Sequence, residues 1–254
     1  MILDPHLHKF LGGLTVSLDP IARFRTAIGV EPRTFQRDLL TSTSSHVICM
    51  ASRQLGKSTA IAAVAWSAFL RGQVVVCIAP TEKQAKEWLL RVKEFRDADP
   101  FTPAGIQFLK TEVAASNHKG RILAMPATEN ARGFTADVLC LDECALISDD
   151  DIASVLPLRK KMGGRLLVTS TPMWKDGDFY RWWTKPNHFQ KVLGHYRDCG
   201  DDDLIRAIEA ERDVISSARF LREYDCQFAG GGDPLVSHAT LERAMNNEEK
   251  ALVF

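Results

Sequence analysis

Residues His46–Thr59, which read HVICMASRQLGKST, carry the most informative pattern in the chain. It begins with Val47–Met50, a short apolar run of the kind that forms a buried strand. Gly56-Lys57-Ser58 follows after a short loop, and the chain then continues with apolar residues at helical spacing. A strand, a loop and a helix in this order predict a phosphate-binding loop, because a helix N-terminus favours a bound anion.

Each residue type in this loop suits a phosphate. Gly56 permits a backbone path that brings amide N–H groups to phosphate oxygens, Lys57 reaches the β- and γ-phosphates, and the Ser58 hydroxyl binds Mg²⁺. Ala51 stands where the usual pattern has its first glycine. The motif alone therefore also fits a surface turn with an N-capping serine, and the downstream sequence has to decide between the two.

A second motif follows the first by about 85 residues. The apolar run Val138–Leu141 predicts a core strand, and Asp142 and Glu143 come directly after it. Ligands of open parallel sheets bind at the carboxyl ends of the strands. We therefore expect Asp142 to hold Mg²⁺, through water or Ser58, and Glu143 to polarise the water that attacks a γ-phosphate. A solvated acidic turn is the alternative, but the two motifs together predict nucleotide hydrolysis.

A third motif, Leu167–Pro172, is a strand that ends in small hydroxyl residues and a proline. Such an ending can sense whether a γ-phosphate is present and transmit that state to the rest of the molecule. The coupling residues predicted here are Thr169, Ser170 and Thr171. An ordinary exit from a strand into a loop is the competing interpretation.

Composition restricts the function classes. Lysine plus arginine and aspartate plus glutamate number 32 each, so a net charge of zero gives no support for a nucleic-acid partner and any such contact must be local. No apolar run is long enough for a membrane span, and the N-terminus lacks a signal-peptide profile. The six cysteines lack zinc-ligand spacing. We expect a reducing cytoplasm, no structural zinc and no membrane.

The alternation of strands and helices predicts an α/β fold. The expected architecture is a P-loop NTPase of the RecA-like, ASCE type, with a central, mostly parallel sheet flanked by helices and a small helical lid subdomain. The predicted organisation is an N-terminal extension (1–30), a P-loop ATPase core (31–185), a helical lid (186–229) and a hinge with the start of a linker (230–254).

The ordered set of motifs resembles the ATPase domain of the large terminase subunit, the DNA-packaging motor of tailed bacteriophages and herpesviruses. The resemblance covers about residues 32–228. It rests on six short segments, none of them specific alone: Phe35-Gln36, Ser52-Arg53-Gln54 before Gly56-Lys57-Ser58, Ala79-Pro80-Thr81 with Gln84, Asp142-Glu143, Thr169–Pro172 and Phe220–Tyr224.

The resemblance implies an ATPase that moves double-stranded viral DNA into a procapsid. ATP and Mg²⁺ are the implied cofactors. The implied partners are double-stranded DNA, the portal protein, the small terminase subunit and further copies of the chain in a ring on the procapsid, with a monomer possible in isolation. The implied location is the host cytoplasm, with transient docking at the portal.

The resemblance also assigns roles to individual residues. Arg53 is implied to be a sensor or cis-acting arginine on the γ-phosphate, with an ion pair to a nearby carboxylate as the alternative. Arg132 is implied to be donated to the ATP of the neighbouring subunit, with a solvated loop arginine as the alternative. Gln36 is expected to bind adenine or else to be an exposed polar residue. The implied nucleotide contacts are Gln36, Ser52, Arg53, Gln54, Leu55, Gly56, Lys57, Ser58 and Thr59.

DNA contacts are expected in a basic cluster between the second and third motifs. Its members are Arg159, Lys160, Lys161 and Arg165. A loop that engages DNA phosphates would suit this position. A solvated charged face is the alternative.

Two other functions remain open at this stage. A helicase or restriction-type ATPase shares the acidic pair, but it needs a second RecA-like lobe. A nucleotide-gated assembly module would use ATP to hold a ring together, with turnover incidental. Large terminases also carry a nuclease domain with spaced acidic residues, which we do not find after residue 230, so nuclease activity is not expected.

Overall fold

A computed structural model describes residues 19–99, 102, 104–127 and 133–230 of the chain. Its centre is an eight-stranded sheet. The strands are β1 (His46–Ala51), β2 (Val74–Ala79), β3 (Ile106–Phe108), β4 (Glu112–Ala115), β5 (His118–Pro126), β6 (Val138–Asp142), β7 (Arg165–Ser170) and β8 (Gln190–Gly194).

The strand order is β3-β4-β5-β2-β6-β7-β1-β8. The six strands from β5 to β8 pair in parallel, whereas β3 and β4 add an antiparallel edge next to β5. β7 lies between β6, which carries the acidic pair, and β1, which leads into the phosphate loop. A strand inserted between the two motif-bearing strands is characteristic of ASCE-type sheets. The predicted α/β fold is therefore confirmed.

Helices cover both faces of the sheet. They are α1 (Pro20–Ile28), α2 (Thr34–Thr41), α3 (Lys57–Leu70), α4 (Glu82–Ala98), α5 (Asp149–Val155), α6 (Gly177–Thr184), α7 (Asp202–Ala210) and α8 (Ser217–Glu223). One core contains side chains of α1–α4, α7 and α8, and the other contains those of α5 and α6. α3 is buried along most of its length, because its many alanines allow close contact with the strands.

Two predicted boundaries need correction. The segment 186–229 is not a purely helical lid, because β8 lies within it and extends the central sheet beside β1. Only Val192 and Gly194 of β8 are buried, so this edge strand has too few apolar residues to be recognised. α1 lies in the range predicted as an N-terminal extension (1–30), but it packs into the main core through Phe24. Residues 1–18 and 231–254 lie outside the described part.

The helices of the described ranges include none with the length and apolar character that a membrane crossing requires.

Candidate nucleotide-binding and catalytic site

The loop between β1 and α3 has a backbone that only particular residues tolerate. Gly56 has a φ of 85°, in the left-handed region that favours glycine. A Cβ atom at this position would lie 2.8 Å from Nε2 of Gln36. Gly56 is therefore required both by its backbone angle and by the side chain that packs against it.

Lys57 lies buried at the start of α3. Its Nζ donates to the carbonyl oxygens of Ala51 at 3.2 Å and Ser52 at 3.4 Å, and it lies 3.8 Å from Oε1 of Glu143. The ammonium group is thus held between the loop backbone and the acidic pair. This is a position from which it can neutralise charge on a bound phosphate.

Asp142 is enclosed at the end of β6. Its carboxylate accepts a hydrogen bond from Oγ1 of Thr169 at 2.8 Å and another from Ser58. Burial raises the pKa of Asp142, and the neighbouring Glu143 raises it further, whereas the hydrogen bonds from Thr169 and Ser58 and the charge of Lys57 oppose the rise. A cation next to this carboxylate would stabilise its charged form.

Glu143 has a more open position than Asp142. It is a non-glycine residue with a φ of 50°, a strained conformation that is more common at functional sites than elsewhere. Its Oε2 accepts from the Ser170 hydroxyl and from the backbone N–H of Thr171, each at 3.4 Å. About a quarter of its side chain is exposed toward the cleft.

The predicted coupling residues therefore contact both carboxylates. Thr169 bonds to Asp142, while Ser170 and Thr171 bond to Glu143. The Ser170 hydroxyl also accepts from the N–H of Ala145, which follows the acidic pair. Because β7 lies beside β6, the third motif is placed directly against the second.

Oxygen donors in this site suit Mg²⁺. The Ser58 hydroxyl and the Asp142 carboxylate are in contact, and hard oxygen ligands of this kind are those that Mg²⁺ prefers. No group of three or more His, Cys, Asp or Glu side chains suited to a metal occurs among the residues placed by the structure. One carboxylate and one hydroxyl fit an ion that takes its remaining ligands from phosphate and water.

A cleft of about 360 Å³ extends from the loop toward α4. The loop residues that line it are Arg53, Gln54, Gly56, Lys57, Ser58 and Thr59. Ser52 and Leu55 are buried instead: Ser52 donates to the Tyr224 carbonyl at 2.5 Å, and Leu55 is 1% exposed. These two positions shape the loop and do not line the cleft.

One wall of the cleft was not predicted from the sequence. It consists of Gln84, Glu87, Trp88 and Arg91 on α4. Only Gln84 belongs to a quoted motif, but the others follow it at the three- and four-residue spacing that places side chains on one helix face. The spacing can be read from the sequence. The packing of α3 against α4, which turns this helix face toward the loop, cannot.

Gln36 has a different position from the one expected. Its Nε2 donates to the carbonyls of Leu55 at 3.3 Å and Gly56 at 3.2 Å, and its Oε1 accepts from the backbone N–H of Arg33 at 2.8 Å. The side chain is buried. Since both ends of the amide bind protein groups, Gln36 supports the phosphate loop, and its contact with adenine stays a prediction.

Arg53 forms the ion pair that was its alternative interpretation. Its Nη1 lies 2.9 Å from Oε2 of Glu223 on α8, and its backbone N–H donates to the Glu223 carbonyl at 2.7 Å. The hydrogen bond and the charge of Glu223 raise the pKa of the guanidinium. Arg132, the predicted trans-acting arginine, lies outside the described residues.

The predicted DNA contacts do not join this site. Arg159, Lys160, Lys161 and Arg165 precede or begin β7, at the edge of the sheet opposite to the carboxyl ends. Arg159 contacts His46 at 2.7 Å, Lys160 pairs with Asp137, and Arg165 donates to the Ser44 carbonyl at 3.1 Å. Lys161 is exposed.

Comparison with solved structures shows the same fold in several phage proteins. The ATPase domain of the Thermus phage P74-26 large terminase has a TM-score of 0.67 and 21% identity, with 83% of this chain and 99% of that chain covered. The large terminase of bacteriophage HK97 has a TM-score of 0.65 and 15% identity, with 84% and 55% covered.

A third similar structure is the large terminase of another thermophilic bacteriophage, here called the thermophilic-phage terminase. It has a TM-score of 0.64 and 12% identity, with 79% of this chain and 54% of that chain covered. It has also been solved in complex with ADP and with ATP-γ-S. The present chain thus spans about half the length of this protein and of the HK97 protein, and nearly all of the P74-26 domain.

Family membership follows from the sequence itself. Residues 48–241 match the family described as terminase large subunit, T4likevirus-type, N-terminal. This match covers most of the chain, including the predicted phosphate loop, the acidic pair and the predicted coupling residues. The chain therefore belongs to the large terminase subunit family of the T4likevirus type and corresponds to the N-terminal part of its members.

Proposed function

We propose that this chain hydrolyses ATP to ADP and phosphate and uses the energy to translocate double-stranded DNA into a viral procapsid. The observation that carries the proposal is the convergence of Lys57, Asp142 and Glu143 at one edge of the sheet, with hydroxyl groups of the β7 terminus on both carboxylates. Family membership and the nucleotide complexes of the thermophilic-phage terminase support it.

Different residues of the site would carry out phosphate binding, Mg²⁺ binding and activation of water. Lys57 and the N-terminus of α3 bind the phosphates, and Ser58 and Asp142 would hold Mg²⁺. When bound, Mg²⁺ neutralises phosphate charge and favours departure of the γ-phosphoryl group. Glu143, which faces the cleft from a position near Lys57, orients the attacking water and accepts its proton.

The proposal extends to the assembly. A ring of copies on the procapsid would bind the portal protein and the small terminase subunit, in the host cytoplasm. Arg132 would complete the site of the neighbouring copy, because a guanidinium neutralises charge that develops on the transferred phosphoryl group.

The test is ATP hydrolysis per subunit over a wide range of protein concentration. We expect a rate per subunit that rises with concentration and is lost in Arg132→Ala, since a trans-acting arginine is worth about 10³–10⁵ in rate. Arg206→Ala is the matched control, because Arg206 is exposed and pairs only with its helical neighbour Asp203 among the described residues.

The opposite result has a clear meaning. A rate per subunit that is independent of concentration, with Arg132→Ala equal to the parent, would show a self-sufficient monomer and exclude the trans arginine. No hydrolysis at any concentration would contradict the ATPase itself.

A further inference from the structure

The edge of the sheet opposite to the cleft is strongly basic, although the whole chain has no net charge. Six segments lead into the parallel strands at this edge: 41–45, 71–73, 116–117, 133–137, 159–164 and 185–189. We count the residues of these segments together with the first two residues of the strand that follows each one. This set contains one carboxylate, Asp137. It contains eight cationic side chains, which we call the basic edge: Arg71, Lys119, Arg159, Lys160, Lys161, Arg165, Lys185 and Lys191.

Contacts show that neighbouring members of the basic edge lie close together. The Cβ of Lys119 lies 3.6 Å from the position that a Cβ at Gly72, next to Arg71, would occupy. Lys191 donates through Nζ to the Lys185 carbonyl at 3.4 Å. Burial lowers the pKa of Arg165, and the charge of nearby Arg71 lowers it further. The charges therefore form one surface across the sheet.

Several of these side chains are available to a partner. Arg71, Lys119, Lys161, Lys185 and Lys191 are exposed. Among the described residues, the side-chain ammonium groups of Lys119, Lys161 and Lys185 have no hydrogen bond or ion pair. Long cationic side chains without such contacts in the described part of the chain are suited to binding anionic groups outside it.

The composition of the edge favours a nucleic acid over a protein partner. Protein interfaces have an apolar centre and are depleted in lysine. Met162 is the only large, highly exposed apolar side chain that the structure places in these segments. Six strands at a spacing of about 4.8 Å give an edge about 24 Å wide, and duplex DNA presents one charge per roughly 1.7 Å of its axis.

We infer that the basic edge binds the phosphate backbone of duplex DNA, through lysines on several separate connections rather than through the 159–165 cluster alone. The inference rests on the proposed function, since it names the surface on which the translocated DNA would lie. β7 joins this surface to the catalytic site, because Lys161 precedes it and Thr169 and Ser170 at its other end bond to Asp142 and Glu143.

The test compares two triple variants of the chain. One replaces Lys119, Lys161 and Lys185 by glutamine. The control replaces Lys83, Lys110 and Lys175, three exposed lysines at the cleft side of the sheet, and so changes the net charge equally. The affinity for a fluorescent 30-base-pair duplex of random sequence is measured by anisotropy at several salt concentrations, and thermal unfolding confirms that both variants fold.

We expect the slope of log affinity against log salt to become shallower by about 0.9 for each phosphate contact removed, thus by roughly 2.7 in the basic-edge variant. The control should keep the slope of the parent. Duplex binding that is unchanged in the basic-edge variant, or reduced equally in both, would overturn the inference and leave an acidic protein as the partner of this edge.

Hydrolysis measured in the same samples separates the two proposals. If the parent hydrolyses ATP and binds duplex while the basic-edge variant keeps the parental slope, only the location of the DNA surface is wrong. If the parent neither hydrolyses ATP nor binds duplex at low salt, the proposed motor function fails together with the inference.

Discussion

Asp142 and Glu143 are neighbours in the chain whose surroundings give them different properties. Asp142 is enclosed and bonded to Thr169 and Ser58, whereas Glu143 has a left-handed backbone and faces the cleft. A carboxylate that is held by hydroxyl groups suits a metal ligand, and one with access to water suits a general base. The left-handed backbone at Glu143 thus coincides with the point where the two carboxylates differ in exposure.

Replacing Glu143 by glutamine tests the role of base. The amide keeps an oxygen that can accept from Ser170 and Thr171, so ATP affinity should stay within a few-fold of the parent. We expect kcat to fall by about 10²–10⁴, because a positioned general base contributes about that factor. Steady-state hydrolysis and equilibrium binding of ATP measure the two quantities.

Glu82→Gln is the control for this change, because Glu82 is exposed at the start of α4 and pairs with Lys86 and Lys110. It should leave kcat as it is. A Glu143→Gln protein that hydrolyses ATP at the parental rate would remove Glu143 from its proposed role.

Gln36→Met distinguishes support of the phosphate loop from recognition of adenine. Loss of the hydrogen bonds to Leu55 and Gly56, each worth about 1 kcal/mol, should weaken binding of ATP and of inorganic tripolyphosphate equally, by roughly 5–30-fold. Isothermal titration with both ligands is the measurement, and Gln190→Met on the exposed part of β8 is the control. Weaker binding of ATP with unchanged binding of tripolyphosphate would indicate contact with the base.

Among single residues, the sequence predicted the positions of those that are placed by the strand directly before them. Lys57, Asp142 and Glu143 each follow a recognisable strand, so their position at one sheet edge could be inferred. The task of Gln36 could not, because its carbonyl partners lie about 20 residues away in the loop. Arg91 and Trp88 reach the cleft only through packing between two helices.

At the scale of elements, α1 is attached to the rest of the molecule by a buried ion pair. Nε of Arg23 lies 3.2 Å from Oδ2 of Asp99, whose carboxylate also accepts from Nε1 of Trp66 at 3.0 Å. Nη1 of Arg23 donates to the Ser67 hydroxyl at 2.5 Å. The pair fixes α1 against α3 and the end of α4.

Asp99→Asn should lower the free energy of unfolding by about 3–5 kcal/mol, because it removes the charge of one partner of a buried ion pair. Asp97→Asn is the matched control, since Asp97 is exposed and pairs at the surface with Arg96; it should cost less than about 1 kcal/mol. Urea unfolding measures both. Equal stabilities would show that the buried pair does not hold α1.

Strands that are buried on both faces could be predicted from the sequence, whereas strands near the sheet edges could not. β1, β6 and β7 are nearly continuous apolar runs because both of their faces are covered, and each was predicted from the sequence. β4 and β8 lie near or at the edges of the sheet and bury few side chains. Their sequences therefore lack the apolar pattern that distinguishes a strand from a loop. They were recognised only once their neighbours were placed.

For the whole molecule, the strand order determines which parts resist local opening. β6 and β7 are buried and flanked on both sides, whereas β3 at one end of the sheet has no fully buried residue. Stability in such sheets decreases from the centre toward the edges.

Native-state hydrogen exchange measures this gradient. We expect the amides of β6 and β7 to exchange only through global unfolding, and those of β3 and β8 to exchange faster through local opening. Protection of β8 equal to that of β6 would contradict this order.

The position of β1 also has a consequence for synthesis. The strand that carries the phosphate loop pairs with β7 and β8, which are made last, and not with β2, which is made next. At about 5–20 residues per second, roughly 6–24 s separate the translation of β1 from that of β7. During that interval the nascent chain contains the complete GKS motif without the strands that support it. The ribosome-bound chain is therefore expected to gain nucleotide affinity abruptly, once β7 has emerged and inserted beside β1.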